Sequence, residues 1–203
     1  MDTIIGIVLA GGKSRRFGSP KAFAELNGVP FYCYPVQILS RLCSSVYVVA
    51  RQQDFDRFNL RKKELLMEDH PDFLGEGPLA GLYTVMNQKT SNWYVVLPID
   101  TPFIHLAHVA KLIEESDGQY QAIIPIVNGV NQPLIALYHH SVKNLIMMQL
   151  QRKQRSMKAL LEKLHVKYVH FPEADSFHFI NINDHKEWKK IQQASRGVIN
   201  DRL

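Results

Sequence analysis

Short apolar runs separated by amphipathic stretches restrict what this chain can fold into more than anything else in it. The runs fall at Ile4 to Ala10, Val46 to Ala50, Glu64 to Glu68, Trp93 to Ile99, Gln121 to Ile126, Leu134 to Tyr138, Val166 to Phe171 and His178 to Ile182. Helical patterns lie between them, near Pro30 to Leu42, Pro78 to Gln88, His105 to Glu115, Ser141 to Met148, Ser156 to Leu164 and Asp184 to Ala194. A strand that is apolar at successive positions needs cover on both faces, as in a parallel sheet flanked by helices. The pattern therefore predicts an α/β fold: three layers, with a mostly parallel central sheet between helices. The stretch after residue 120 is less regular. Its "NGVNQP" carries the Asn128-Gly129 pair, which suits a turn and predicts an antiparallel hairpin there. No repeat or linker divides the 203 residues, so a single domain over 1–203 is expected. In such sheets ligands sit beyond the carboxyl ends of the strands. Loops 10–21, 69–78 and 99–104 are expected to meet there.

Composition excludes several classes. Hydrophobic residues make up 46% and charged residues 21%, the balance of an ordinary globular chain. No stretch approaches the ~20 apolar residues that span a bilayer, and the N-terminus lacks a signal-peptide pattern. Cys33 and Cys43, ten residues apart, match neither a zinc knuckle nor a CxxC redox pair. A reducing, cytoplasmic setting is expected. The net charge of +5 admits an anionic ligand. "QRKQRSMKAL" is read as a solvated helix start and not a nucleic-acid surface. His105 and His108 are read as solvent-facing, and His139 and His140 as pointing to different faces.

The chemistry is concentrated in four stretches. In "IIGIVLAGGKSRRFGSPKAF" the first strand runs into Gly11 and Gly12, where backbone N–H groups can approach a ligand without a Cβ in the way. Lys13, Arg15, Arg16 and Lys21 surround this turn with donors for phosphate oxygens. The loop matches neither GxGxxG nor GxxxxGK[ST]. In "LPIDTPF", Asp100 at a strand end suits Mg²⁺ held against phosphates, although Asp100 or Thr101 could equally cap a helix. In "MEDHPDFLGEGPLAGL", Gly77-Pro78 reads as a helix start, and Gly81 leaves room for a base or for another backbone. In "FININD", Asn181 and Asn183 would share one face of a strand.

"LAGGKSRRFGSPKAF" closely resembles LAGGxSxRMGxxKxL, the signature of the molybdenum cofactor guanylyltransferases (the MobA family). Phe17 stands for the usual Met and Phe23 for the usual Leu. The resemblance continues through "GPLAGL" (77–82), "LPIDTPFI" (97–104), "QPLIALY" (132–138) and "FININD" (179–184). It implies a three-layer Rossmann-like (GT-A-like) nucleotidyltransferase fold and transfer of GMP from GTP to the terminal phosphate of molybdopterin, releasing pyrophosphate. It implies nucleotide binding by Leu9, Ala10, Gly11, Gly12, Lys21, Asp69 and Asp100, with Lys21, Asp100 and Arg15 catalytic. Asp100 would bind Mg²⁺ (Mn²⁺ as an alternative), and Asn181 and Asn183 would face the pterin substrate. Arg155 or Ser156 would border the same pocket. GTP and Mo-molybdopterin are the implied small-molecule partners, with molybdoenzymes or other cofactor-biosynthesis proteins beside them, and neither nucleic acid nor membrane. LAGG instead of LAAG favours guanine over cytosine. Cytidylyl transfer to molybdopterin, nucleotidyl transfer to a sugar phosphate and a non-catalytic carrier role stay open at this level. One departure stands out: after the second strand some relatives read V-V-N-A-N where this chain has "VVARQQ". A nucleotide contact there is absent or made differently.

Overall fold

The structure, a computed structural model, describes residues 3–12, 17–60, 65–184 and 188. The first half of the chain forms β1 (Ile4–Leu9), a β2–β3 hairpin (Glu25–Leu26 and Val29–Pro30), α1 (Cys33–Leu42), β4 (Ser45–Val49), β5 (Leu66–Met67), α2 (Pro78–Gln88) and β6 (Trp93–Pro98). The second half forms α3 (Leu106–Glu114), β7 (Ala122–Val127), β8 (Val130–Asn131), β9 (Ala136–His139), α4 (Lys143–Gln151), α5 (Met157–Leu161) and β10 (Val166–Phe171).

The large sheet runs β10-β7-β9-β6-β1-β4-β5, with β8 paired to β7. β1 is parallel to both β4 and β6, β4 to β5, and β10 to β7. β9 lies antiparallel between β6 and β7. The expected hairpin exists: β8 folds back on β7 through Asn128 and Gly129 at φ 50° and 73°, the left-handed pair that an Asn-Gly turn supplies.

Both faces of the sheet are buried, as continuous apolar strands require. Val8, Val46, Val48, Val95 and Leu97 pack with Leu39 of α1 and with Val109 and Leu112 of α3. On the opposite face Ile5, Ile7, Tyr94 and Val96 pack with Leu79, Leu82 and Val85 of α2, Ile146 and Leu150 of α4, and Leu160 of α5. Alternate residues of one strand thus serve different layers. Gly6 marks how closely α1 approaches, since a Cβ there would sit 2.9 Å from Leu39 Cβ.

Two sequence expectations are corrected, and a third falls largely outside the described residues. Helix α1 begins at Cys33 and not at Pro30, because Asn27 and Gly28 (φ 54° and 76°) close the β2–β3 hairpin, which takes up Pro30. The stretch His178 to Ile182 is not a strand: a 3-10 segment spans Glu173–Phe179 and irregular backbone follows. The pattern at Asp184 to Ala194 lies outside the described residues except for Asp184 and for Trp188, whose ring packs 5.1 Å from that of Phe31. No helix among the described residues is long and apolar enough to cross a membrane.

Candidate active site

The carboxyl ends of β1, β4, β5 and β6 open onto a cavity of about 700 Å³, a volume suited to a nucleotide-sized ligand. The three loops singled out in the sequence contribute to its wall, with Gly11, Gly12 and Lys21 from the first, Asp69, Gly75 and Gly77 from the second, and Ile99 and Asp100 from the third. Leu9 lines it as well. Ala10 does not: it is buried, and its N–H donates to the Val49 carbonyl across to β4 at 2.8 Å. Arg15 lies outside the described residues, with Lys13 and Arg16.

Lys21 and Asp100 come together from positions 79 residues apart in the chain. Lys21 opens a short 3-10 turn over Lys21–Phe23. That turn is held by backbone bonds from Phe31 to Ala24 and from Tyr32 to Ala22. Its ammonium donates to Asp100 Oδ2 at 3.2 Å, and the residue is only 8% exposed while the Asp100 side chain keeps 27%. A buried lysine requires a charge partner, and here the partner faces a cavity. The capping alternative for Asp100 and Thr101 fails, since α3 starts at Leu106 with His105 as its N-cap.

The glycines divide into two kinds. A Cβ on Gly12 would meet nothing within 4 Å among the described residues, and one on Gly11 would only touch the Val49 carbonyl at 3.9 Å. Neither has a positive φ. Gly81 is different, because its Cβ would fall 2.6 Å from Leu9 Cδ2. Helix packing against β1 therefore accounts for Gly81, although it also borders the cavity. Gly77 also lines the cavity, but its own demand is on the backbone: φ is 84° at the N-cap of α2 before Pro78, while a Cβ there would meet nothing within 4 Å among the described residues.

At the opposite wall the Glu68-Asp69 pair resolves into two environments. Glu68 Oε1 accepts the Gln52 N–H at 3.2 Å, and Asp69 Oδ2 accepts the Gly75 N–H at 3.0 Å. Burial pushes the Asp69 carboxyl above its ordinary value of 3.8, with the Gly75 bond opposing the rise and the Glu68 charge adding to it. Arg155, just ahead of the Ser156 N-cap of α5, forks onto Glu76 beside this loop, with Nη2 to Oε1 at 2.7 Å. Each group stabilises the other's charge, raising the arginine and lowering the glutamate.

Asn181 and Asn183 do not line this cavity. Both are exposed, while Ile182 between them is fully buried and its N–H donates to the Asp100 carbonyl at 2.8 Å. The alternation expected of a strand survives without one, and it sets both amides on the chain segment that crosses behind Asp100.

Arg51, Gln52 and Gln53 line the cavity after β4 and were not identified from the sequence. They occupy the "VVARQQ" departure, where Arg51 is held by the buried Asp54 at 2.7 Å. The sequence signal was their position after a parallel strand next to β1. His108 was misassigned: it is 8% exposed, and its Nε2 lies 3.5 Å from Asp175 Oδ2.

Residues 6–168 match the family of MobA-like NTP transferase domains. A Bacillus cereus (strain B4264) protein named "Probable molybdenum cofactor guanylyltransferase" is 36% identical over 95% of this chain and 98% of its own length. A Geobacillus sp. (strain WCH70) protein of the same name is 38% identical over 94% of this chain and 99% of its own. Among solved structures, molybdopterin-guanine dinucleotide biosynthesis protein A from Archaeoglobus fulgidus superposes with a TM-score of 0.76 at 23% identity, over 96% of this chain and all of that one. The 2-C-methyl-D-erythritol 4-phosphate cytidylyltransferase from Thermus thermophilus shares the fold at a TM-score of 0.68 and 13% identity, over 97% of this chain and 100% of that one. With a glycine turn, a Lys21–Asp100 ion pair and a nucleotide-sized cavity at the sheet edge, this chain belongs to the MobA-like NTP transferase family.

Proposed function

We propose that the protein transfers GMP from GTP to the terminal phosphate of molybdopterin, yielding the guanine dinucleotide form of the cofactor and pyrophosphate. The observation that carries this reading is the Lys21–Asp100 pair at a cavity whose glycine turn, Gly11-Gly12, no described part of the protein itself requires. A turn without Cβ atoms that no described part of the fold requires is explained by a ligand that approaches it closely. The names of the relatives supply the substrate pair.

A phosphate monoester is largely ionised at neutral pH, so the acceptor needs no strong base. The obstacle is repulsion between two anions and charge gathering on the departing pyrophosphate. The protein acts by positioning and by electrostatic stabilisation. In this reading the N–H groups of the Gly11-Gly12 turn bind the triphosphate, together with Arg15. Lys21 neutralises the α-phosphate, where the new P–O bond forms. Asp69, with Glu68 beside it, accepts from the guanine N–H donors at the far wall. Asn181 and Asn183, on the segment behind Asp100, orient the pterin substrate.

The donor set fits Mg²⁺: Asp100 offers one hard carboxylate beside space for phosphate oxygens, and this ion typically takes only one or two protein carboxylates. Bound there, Mg²⁺ (or Mn²⁺) would neutralise the triphosphate and the leaving group. The free thiols of Cys33 and Cys43 support a cytoplasmic setting, and residues 1–203 act as one transferase domain. GTP-dependent pyrophosphate release with molybdopterin as acceptor tests the proposal. Release with CTP in place of GTP, or only with a sugar phosphate, would overturn it.

A further inference from the structure

A second cluster of ligating side chains lies outside the nucleotide cavity. One donor atom from each of His108, Asp175 and His178 falls within 4.8 Å of those of the other two. His108 sits at the third position of α3, and Asp175 and His178 come from the 3-10 segment after β10. The segments are brought together by aromatic packing: His108 lies 5.4 Å from the Phe171 ring and 5.2 Å from Phe179, and Phe103 lies 4.7 Å from Phe177. The His178 ring stands 4.2 Å from that of His105 and 5.1 Å from that of His108. His178 Nδ1 is buried without a hydrogen-bond partner among the described residues. Such an orphan costs folding energy unless something else meets it.

We propose that His108, Asp175 and His178 bind a Zn²⁺ ion that ties the 173–179 segment to the start of α3. Two imidazoles and one carboxylate suit zinc and not Mg²⁺, which prefers oxygen donors. Tetrahedral zinc sets its ligand atoms about 3.3 Å apart. The 3.5 Å between His108 Nε2 and Asp175 Oδ2 already approaches this value, while the 4.8 Å limit of the group leaves a contraction for the metal to draw in. Binding through Nε2 moves the His108 proton to Nδ1 and releases the long 3.3 Å bond that Nδ1 accepts from the His105 N–H. The remaining zinc position goes to water. The site is structural but adjoins the chemistry: the tied segment leads directly to Ile182, whose N–H holds the Asp100 carbonyl.

The test uses the untagged full chain, stripped of metal with a chelator, and titrated with ZnCl₂ alone against a chromophoric chelator. One tight Zn²⁺ per chain is expected, and excess Mg²⁺ should not displace it. His178→Gln and Asp175→Asn should each weaken Zn²⁺ binding at least about tenfold, since even loss of an outer partner costs that much. Both partly exposed positions should tolerate the change, and circular dichroism checks that they have. His140→Gln, at an exposed histidine elsewhere, should leave binding unchanged. Absence of stoichiometric Zn²⁺, an equal loss in His140→Gln, or unaltered affinity in both cluster variants would overturn the proposal. Because Zn²⁺ binding is the readout, the result stands apart from the reaction assigned to the nucleotide cavity.

Discussion

The loop after β1 and the segment after β10 both reach Asp100, but they do so by different means. The first delivers Lys21 through local structure: a strand end, a glycine turn and a 3-10 turn within a dozen residues, tied down by the β2–β3 hairpin. The second delivers Asn181 and Asn183 on irregular backbone that follows a 3-10 segment, where Ile182 is buried and its N–H donates to the Asp100 carbonyl. Lys21 is buried and charge-paired, whereas Asn181 and Asn183 are exposed amides. Under the proposed function this contrast is a division of labour, with a nucleotide side built on a buried ion pair and an acceptor side of exposed amides.

The sharpest way to break this comparison is to remove charge from the nucleotide side. Lys21→Ala should reduce turnover by about a hundredfold or more, with a smaller loss of GTP affinity, because the charge matters most as the α-phosphate reacts. Asp100→Ala should be comparably slow, and the double variant should cost far less than the product of the two, since the residues act as a pair 3.2 Å apart. Steady-state pyrophosphate release measures all three. Multiplicative losses would show that the pair does not act as a unit.

On the acceptor side, Asn181→Ala and Asn183→Ala should each raise the KM for molybdopterin roughly tenfold, the loss of a hydrogen bond worth about 1.4 kcal/mol. Their GTP affinity by calorimetry should match the unmodified protein. Equal weakening of GTP would erase the proposed division. At the far wall of the nucleotide side, GTP should bind at least about tenfold more tightly than CTP, a difference of ~1.4 kcal/mol. Calorimetric titration of both checks this, and a preference for CTP would remove the guanine assignment.

Stability should respond more weakly. Gly129→Ala, at φ 73° in the β7–β8 turn, should cost about 1 kcal/mol and leave kinetics alone. Denaturant melts with parallel rates decide it. The smallest effect concerns Asp69. Its folded pKa lies above 3.8, so between those values the folded state holds more protons than the unfolded one, and stability falls as pH rises through that window. Asp69→Asn should therefore melt no lower than the parent protein at neutral pH, and any advantage should vanish below about pH 3.8. A variant that loses stability at neutral pH would show that the ionised Asp69 stabilises the fold.

Much of this molecule was legible in one dimension because its signals are local. Apolar runs buried on both faces gave away the layers, the glycine turn after β1 and the Gly77-Pro78 start of α2 announced themselves by residue type, and Asn128-Gly129 marked its own turn. Other features required the folded chain. Whether Gly81 served a ligand or the packing depended on where the Leu9 side chain lay, a contact between residues far apart in the chain that periodicity does not encode. That Asp100 does not cap α3 became visible only when the helix proved to begin at Leu106, with Lys21 beside the carboxylate. His108 looked like a surface histidine because its partners, Asp175 and His178, stand on a segment much later in the chain. Asn181 and Asn183 share the exposed side of irregular backbone because Ile182 is pulled inward, which burial decides and strand propensity does not. By itself, then, the sequence determined the α/β layering and the loops that meet at the cavity, since hydrophobic period and backbone restriction act over a few residues. Which side chains pair was decided by the tertiary structure alone, because charge, burial and packing act between residues that only the fold makes neighbours.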